Sequence, residues 1–523
     1  MRRERGSDDQ VLARHPERPA GIAAMLAAAA LADPDGEALI DGETRLCWCD
    51  LETEVAKLAG GLQQEGIRPG DRVALLIGNR HEFLLLAYAA AWLGCAFVPI
   101  SEREAEAGVA RLIEDSGARA IFFEPSTVAE VPGNAAAFAV CVDIESAAFA
   151  GLRASAPIGP HEGDEDDLAA IVYTSGTTGV PKGAMLSQGG IVHSAMNYAR
   201  TMVLSGSDRS LAAVPLTHVT GLVAIAATAL FAGAATVIMR RFDARECLET
   251  MARERITHTV LVPAMYNLCL LRADFRSLDL VAWRIGGYGG APMADATIRN
   301  LFAVLPGLQL MNLYGATETT SPAVIMPPAH ALAHSDAVGI PAPGVEIVAM
   351  DEAGREVAPG EPGELWIRGA GVVRGYWRNA GATAREFVSG FWKSGDLGSI
   401  DADGFVHVHD RNKDMINRGG YKVYSAEIEA LLAEVQGVVE SAVVARPCAV
   451  LGERVHAVVV FAEGSAPDPA ALAAHVGGRL ADYKVPETWD IRSEPLPRNA
   501  NGKVLKRALR DAIGAYVPTA AGG

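Results

Sequence analysis

Apolar helical stretches alternate with short β-rich runs through the first 270 residues of the chain. A helical stretch at 51–63 precedes a strand-like run at 72–76, and a helical stretch at 82–93 precedes a run at 96–99; another run follows at 120–123. Alternation of this kind is typical of parallel sheets whose faces are covered by helices. Because no fixed-period repeat is present, a solenoid is excluded. The sequence therefore predicts an α/β fold.

The pattern changes after about residue 327, where glycine and proline become frequent and short strand-like runs dominate. This favours a small β-rich subdomain. A charged segment at 410–414, for which the sequence offers no packing partner, precedes a compact α+β segment. We predict a large N-terminal domain over 1–410, made of two helix-covered sheet subdomains and the β-rich subdomain, and an α+β C-terminal domain over 411–523.

The charge balance limits the partners. The 523 residues include 46 Lys and Arg against 63 Asp and Glu, a net charge of −17. Such a field repels phosphate backbones and anionic membranes, which argues against nucleic acid as the main ligand. The 7 cysteines form no CxxC pair, which favours a reducing, cytoplasmic location.

Hydropathy predicts no membrane span, because no stretch reaches about 18 strongly apolar residues. The apolar run at 20–31 follows a basic start, as a signal peptide would, but acidic residues and Pro19 interrupt the approach. We therefore expect this run to be the first helix of the fold. A homodimer is compatible with the sequence.

The strongest local motif is a loop rich in glycine and hydroxyl residues that follows the apolar run 168–172. Its glycines let backbone amides turn inward, and its hydroxyls and lysine add donors, as a polyphosphate requires. It is not a Walker loop, since Pro181 precedes the lysine and Gly183 follows it, which argues against a Walker-type phosphotransferase. The predicted phosphate-binding residues are Thr174, Ser175, Gly176, Thr177, Thr178, Gly179 and Lys182.

This loop resembles the signature of the adenylate-forming superfamily, which includes acyl-CoA synthetases, aryl-CoA ligases, luciferases and peptide-synthetase adenylation domains. The likeness covers about residues 20–515 and is strongest toward acyl-CoA synthetases. It implies ATP, Mg²⁺ and CoA as ligands and a mobile C-terminal domain. Five further segments match in the family's order: YGATE at 314–318, SGD at 394–396, DRNKD at 410–414, GGYKV at 419–423 and PRNANGK at 497–503.

The resemblance assigns nucleotide contacts to single residues. Tyr314 would stack on adenine, Asp396 would accept hydrogen bonds from the ribose hydroxyls, and Glu318 would hold Mg²⁺. The implied nucleotide-binding residues beyond the loop are Gly290, Ala291, Asn312, Tyr314, Gly315, Thr317, Asp396 and Arg411.

The resemblance also implies a catalytic set. Lys503 would stabilise the charge that develops as the acid attacks the α-phosphorus of ATP. Thr317 would contact the α-phosphate, and His218 would gate the acyl site. Lys413 would be the hinge about which the C-terminal domain rotates, so that Lys503 withdraws and a thiol enters. The implied acyl and CoA tunnel residues are Tyr288, Gly289, Thr220, Gly221, Gly419, Gly420, Tyr421 and Lys422.

The expected reaction joins a small-molecule carboxylic acid to CoA through an acyl-adenylate, releasing AMP and diphosphate. The residues around His218 are uncharged, which favours an apolar aliphatic or aromatic monocarboxylate. Four alternatives stay open: loading of a carrier protein, luciferase-type oxidation, accumulation of the adenylate, and a catalytically inactive nucleotide-binding protein. Asn417 stands where luciferase-type relatives carry a lysine, which disfavours oxidation.

Overall fold

The computed structural model describes residues 1–6, 10–130, 138–174, 181–411, 413–448, 450–462, 468–499 and 504–514. Two large sheets form its N-terminal part, after an antiparallel hairpin of β1 (Arg2–Arg5) and β2 (Val11–Arg14). The strands of the first large sheet are β5 (Arg72–Leu76), β6 (Ala96–Pro99), β7 (Ala120–Phe123), β8 (Val140–Asp143), β9 (Leu168–Thr174) and β10 (Lys182–Ser187).

This six-stranded sheet has the order β10-β9-β6-β5-β7-β8. Only β10 runs antiparallel to its neighbour, and the other pairs are parallel. The strands at 72–76, 96–99 and 120–123 have the predicted bounds. Their nearly continuous apolar residues are buried because helices cover both faces of a parallel sheet.

A nine-stranded sheet forms the second layer. Its strands are β3 (Glu37–Asp41), β4 (Thr44–Cys47), β11 (Arg209–Ala212), β12 (Ala235–Ile238), β13 (His258–Leu261), β14 (Ile285–Gly289), β15 (Gln309–Tyr314), β16 (Val324–Ile325) and β17 (Ile340–Pro341). The order is β17-β16-β15-β14-β13-β11-β12-β3-β4, with six parallel strands from β15 to β3 in the centre. The carboxyl ends of these parallel strands therefore meet at one edge.

Helices fill the space between and around the sheets. They are α1 (Ile22–Ala32), α2 (Trp48–Gln64), α3 (His81–Trp92), α4 (Glu106–Ser116), α5 (Ala147–Arg153), α6 (Gln188–Thr201), α7 (Thr228–Ala232), α8 (Ala244–Arg253), α9 (Pro263–Arg272), α10 (Asp295–Val304), α11 (Ala380–Glu386), α12 (Ser425–Leu432), α13 (Pro469–Gly477) and α14 (Lys506–Gly514). Every residue of α3 is buried, because this helix packs against strands of both large sheets. The apolar run at 20–31 forms α1, as predicted. No helix of the described residues combines the length and apolar character needed to cross a bilayer.

Two smaller sheets complete the fold. The β-rich sheet is antiparallel and consists of β18 (Glu346–Met350), β19 (Gly363–Arg368), β20 (Phe387–Val388), β21 (Phe391–Ile400) and β22 (Val406–Arg411). The C-terminal sheet consists of β23 (Ile416–Arg418), β24 (Tyr421–Val423), β25 (Val438–Cys448), β26 (Gly452–Phe461) and β27 (Thr488–Arg492), with apolar clusters on its two faces. The predicted fold class, with its separate C-terminal domain, is confirmed.

Two members of the charged segment at 410–414, Asp410 and Asp414, are buried, contrary to the expectation from the sequence. Asp410 is 6% exposed and accepts a hydrogen bond from the Ser425 hydroxyl at 2.8 Å, at the start of α12. The Lys506 ammonium, at the start of α14, donates to the same hydroxyl at 2.7 Å and pairs with Glu429 at 2.7 Å. Burial raises the pKa of both the Asp410 and the Glu429 carboxyls. Tertiary burial of these charges thus fixes the junction to the C-terminal domain.

Replacing Lys506 with Met should loosen this junction, because two buried carboxylates lose their cation. We expect local opening of α12 to become easier by about 2 kcal/mol, which is about 30-fold in hydrogen exchange. Deuterium uptake of peptides covering Ser425–Leu432, followed by mass spectrometry, measures this. Lys57→Met is the control, since Lys57 pairs with Glu54 at the surface at 3.4 Å. Equal uptake in both variants would contradict the assigned role of Lys506.

Candidate active site

The residues predicted to contact adenine lie where two neighbouring parallel strands end. On β14 and β15, Tyr288 pairs with Asn312 and Gly289 with Leu313. A side chain at Gly289 would come within 2.3 Å of the Leu313 carbonyl oxygen, so only glycine allows this approach. Gly290, with φ of +79°, then turns the chain out of the sheet before Ala291. Ligands of open α/β sheets bind at such carboxyl edges.

A tyrosine, a carboxylate and a guanidinium meet beside this edge. The Tyr314 hydroxyl donates to Asp396 Oδ2 at 2.6 Å, and Arg411 Nε lies 3.1 Å from Asp396 Oδ1. Asp396 and Arg411 are register partners on β21 and β22, so the β-rich sheet presents them together. Burial, followed by the charge of Asp396, raises the pKa of Tyr314 well above its ordinary value. The phenol therefore stays protonated and remains a donor.

A short turn carries Thr317 and Glu318. Residues Thr317–Thr319 form one turn of 3₁₀ helix directly after β15 and the predicted Gly315. The Thr319 hydroxyl accepts from the Ala316 amide at 2.9 Å and donates to the Ala316 carbonyl at 3.0 Å. Thr317 and Glu318 are 6% and 7% exposed. These hydrogen bonds within the turn stabilise it, and the turn carries the buried Glu318 carboxylate.

Glu318 is linked through one phenol to the base of the glycine-rich loop. The Tyr376 hydroxyl lies 3.0 Å from Glu318 Oε1 and 2.6 Å from Glu386 Oε2. Lys182 donates to Glu386 at 2.6 Å and to the Tyr376 oxygen at 3.2 Å. Sequence reasoning missed Tyr376 and Glu386, since a tyrosine between Gly375 and Trp377 reads as a core aromatic. The structure brings Lys182 and Glu318 to the same Tyr376 hydroxyl.

The donor set at Glu318 fits a divalent cation. Within the part of the chain that the structure describes, Glu318 accepts the Tyr376 hydrogen bond but forms no ion pair. A buried carboxylate without a cation is costly, and hard cations bind one or two carboxylates together with phosphate oxygens. The residues present therefore fit Mg²⁺ bound with a nucleotide.

The glycine-rich loop joins β9 to β10. Thr174 and Lys182 are register partners in this antiparallel pair. Ser175, Gly176, Thr177, Thr178 and Gly179 lie outside the described residues. The two described ends of the loop are therefore adjacent, and Lys182 contacts the Tyr376 hydroxyl.

The residues predicted on the acid side follow β11 and end β14, with β13 between these strands. His218 Nδ1 accepts from the Thr220 amide at 3.3 Å, which leaves the ring proton on Nε2 when the ring is neutral. Thr220 begins a π-helix, Thr220–Ala227, and a side chain at Gly221 would come within 2.3 Å of the Pro215 carbonyl oxygen. Burial raises the pKa of Tyr288 to about 12. Thr220, Gly221 and Tyr288 are therefore uncharged near neutral pH.

The residues predicted on the CoA side lie on the C-terminal sheet. Gly419 and Gly420, with φ of +60° and +94°, turn β23 into β24. Tyr421 stacks on Tyr483 at 4.6 Å, and Lys422 is exposed. Among the described residues, no hydrogen bond or ring contact joins this turn to Tyr314, Asp396 or Glu318. The structure does not bring these two groups of predicted site residues together.

The predicted hinge is held by α14. Arg510 Nη1 donates to the Lys413 carbonyl oxygen at 2.9 Å, and its other terminal nitrogen lies 3.1 Å from Asp414 Oδ1. Lys503 lies outside the described residues. The chain on either side of it is anchored, since Arg498 and Val504 form an antiparallel bridge and Leu505 donates to the Pro497 carbonyl at 2.7 Å.

Large N-terminal sheets, a β-rich sheet and a separate C-terminal domain together define the adenylate-forming class of enzyme. Residues 26–377 match the family model of the AMP-binding enzyme, and residues 427–503 match that of the AMP-binding enzyme C-terminal domain. The chain belongs to the AMP-binding enzyme family, in its group of AMP-forming acyl- and aryl-CoA ligases.

Curated relatives match nearly the whole chain. It is 35% identical to a feruloyl-CoA synthase from Amycolatopsis sp., with 92% of this chain and 96% of the relative covered. It is 36% identical to an indoleacetate–CoA ligase from Aromatoleum aromaticum, with the same coverage of 92% and 96%. A fatty acid–[acyl-carrier-protein] ligase from Streptomyces coeruleorubidus is 35% identical, with 90% and 92% covered.

Solved structures share the fold. ATP-bound MatB from Rhodopseudomonas palustris superposes with a TM-score of 0.87 at 31% identity, covering 95% of this chain and 99% of that one. O-succinylbenzoate coenzyme A synthetase from Bacillus subtilis, in complex with ATP and magnesium ion, gives 0.82 at 28% identity, covering 93% and 99%. These two related proteins bind ATP, one of them with magnesium.

Replacing Asp396 with Asn should weaken ATP binding. The amide cannot offer two anionic oxygens, so Tyr314, Arg411 and the ribose would compete for one carbonyl. We expect an ATP dissociation constant about 10- to 100-fold higher, as for loss of hydrogen bonds to a charged group. Calorimetric titration with ATP measures it. Asp403→Asn, an exposed carboxylate in the same β-rich region, should bind ATP like the wild type; equal affinity of the Asp396 variant would refute the assignment.

Proposed function

We propose that the protein is an ATP-dependent acid:CoA ligase whose acid is an apolar aliphatic or aromatic monocarboxylate. The uncharged character of the predicted acid side carries this proposal. A second carboxylate or an ammonium group on the substrate would need a counter-ion in a buried site. Neither Thr220, Gly221 nor Tyr288 supplies one. Two of the relatives, named for feruloyl-CoA and indoleacetate, support an aromatic acid.

In the first half-reaction the nucleotide is held before the acid attacks. Tyr314 stacks on adenine beside Gly290, Ala291 and Asn312, and Asp396 with Arg411 holds the ribose. The loop from Thr174 to Gly179, with Lys182, binds the phosphates through amide, hydroxyl and ammonium donors. Mg²⁺ bound at Glu318 supplies neutralisation of phosphate charge.

The chemical step transfers AMP to the acid. A carboxylate oxygen attacks the α-phosphorus, and the bond from that phosphorus to diphosphate breaks. Thr317 donates to the α-phosphate, and the Lys503 ammonium stabilises the negative charge that develops there, which is worth a few kcal/mol (~3) of transition-state free energy. His218 closes the acyl side of the site.

In the second half-reaction the C-terminal domain rotates about Lys413, and Lys503 leaves the site. Gly419, Gly420 and Tyr421 then line the path of the pantetheine arm, and Lys422 pairs with a CoA phosphate. The sulfur of CoA attacks the acyl carbonyl carbon, and AMP leaves. The glycines permit close approach of the thiol arm to the backbone.

Loading of a carrier protein is the second candidate. It shares the first half-reaction and differs only in the thiol that receives the acyl group. One relative is named as a fatty acid–[acyl-carrier-protein] ligase, which supports a carrier protein as the second candidate acceptor. Because a carrier protein presents the same pantetheine thiol as CoA, the acceptor must be distinguished by product and not by the adenylation step.

Purified protein incubated with Mg-ATP, CoA and straight-chain, branched and aromatic acids should form acyl-CoA and AMP with a subset of the acids. Lys503→Ala should reduce adenylate formation about 100-fold or more, since a donor to developing charge is lost. Mass spectrometry of the products measures both. Lys57→Ala, a surface lysine, is the matched control. Acyl-adenylate without acyl-CoA would favour a carrier-protein acceptor, and absence of both products with every acid would overturn the proposal.

A further inference from the structure

Three side chains converge on the hydroxyl oxygen of a fourth, Tyr376. The Tyr376 oxygen lies 2.6 Å from Glu386, 3.0 Å from Glu318 and 3.2 Å from the Lys182 ammonium. The ammonium also lies 4.3 Å from the centre of the Tyr376 ring. Tyr376 itself is 2% exposed. This buried cluster, here called the Tyr376 cluster, contains Lys182, Glu318, Tyr376 and Glu386.

The backbone around Tyr376 is tied to both of its neighbours. Tyr376 bridges Ala184 on β10, and Trp377 donates to the Gly183 carbonyl at 2.7 Å. On the other side, Val373 donates to the Glu318 carbonyl at 2.8 Å. The segment therefore fixes its phenol between the base of the glycine-rich loop and the carboxylate on the 3₁₀ turn.

The Tyr376 phenol lies within hydrogen-bond distance of two carboxylates, Glu318 and Glu386. A phenol has one proton to donate, an ammonium only donates, and a carboxylate only accepts. Lys182 already pairs with Glu386 at 2.6 Å, whereas Glu318 has no ion pair among the described residues. The phenol can thus donate to Glu318 or to Glu386, but not fully to both.

We propose that Tyr376 is a positioning residue that orients Glu318 for the divalent cation through the hydrogen bond that its hydroxyl donates. The inference rests on the proposed function, because Glu318 is the carboxylate assigned to Mg²⁺ there. Tyr376 contacts neither the nucleotide nor the acid in this scheme.

The position of the phenol supports this role, because its oxygen lies within hydrogen-bond distance of the Glu318 carboxylate and the Tyr376 side chain is buried. A hydrogen bond of this kind to a metal-binding carboxylate typically contributes about 10- to 100-fold to metal affinity or activity.

The test replaces Tyr376 with Phe, which removes the hydroxyl and keeps the ring that packs edge-on against Phe387 at 5.5 Å. Binding of Mn²⁺, followed by electron paramagnetic resonance with a non-hydrolysable ATP analogue present, should weaken about ten-fold. The Mg²⁺ concentration for half-maximal adenylation should rise by a similar factor, while the KM for the acid stays within about two-fold of the wild-type value. Tyr88→Phe, a buried tyrosine of α3, is the matched control and should change none of these quantities.

Four outcomes separate the possibilities. Weaker Mn²⁺ binding with an unchanged KM for the acid supports the positioning role. Unchanged Mn²⁺ binding in the Phe variant of an active protein overturns it, as does an equal loss for acid, nucleotide and metal accompanied by a lower melting temperature. Wild-type protein that neither binds Mn²⁺ with the analogue nor adenylates any acid would instead overturn the proposed function.

Discussion

Two buried carboxylates, each hydrogen-bonded by a tyrosine hydroxyl, set the chemistry of this site. Tyr314 donates to Asp396 at 2.6 Å, and Tyr376 lies within 3.0 Å of Glu318. Burial is the first cause that raises the pKa of both phenols, so both remain donors. The difference lies in the cations: Asp396 has Arg411 at 3.1 Å, whereas Glu318 has no ion pair among the described residues. A compensated carboxylate suits a neutral diol, and an uncompensated one suits a metal ion.

The same rule about buried charge explains how the C-terminal domain is attached. Burial raises the pKa of the Asp410 and Glu429 carboxyls. The Lys506 ammonium pairs directly with Glu429 and reaches Asp410 through the Ser425 hydroxyl. Lys506 and Arg510 both lie on α14, which begins shortly after the segment that carries Lys503. One helix thus contacts the junction and the predicted hinge. The proposed rotation of the domain would have to exchange these contacts for others of similar strength, because a buried charge left unpaired is costly.

The acid side depends on shape and neutrality more than on charge. Gly221 and Gly289 each occupy a position where a side chain would come within 2.3 Å of a carbonyl oxygen. These glycines bring the π-helix and the end of β14 close to their neighbours. The predicted acid-side residues offer phenol, imidazole, hydroxyl and backbone groups, which suit the apolar acid proposed above. Family membership alone does not identify the acid substrate, because relatives about one-third identical to this chain are named for different acids.

The sequence by itself determined the fold class, the bounds of strands such as Arg72–Leu76, and the family, because hydrophobic periodicity and short motifs are local properties. It also indicated Tyr314, Asp396 and Arg411 as one group, which the structure brings together. Only the tertiary structure decided that Lys182 and Glu318 share Tyr376 with Glu386, and that Asp410 is buried under Ser425. These partners are separated by up to 204 residues, so their contacts depend on how sheets and segments pack, which no local pattern encodes.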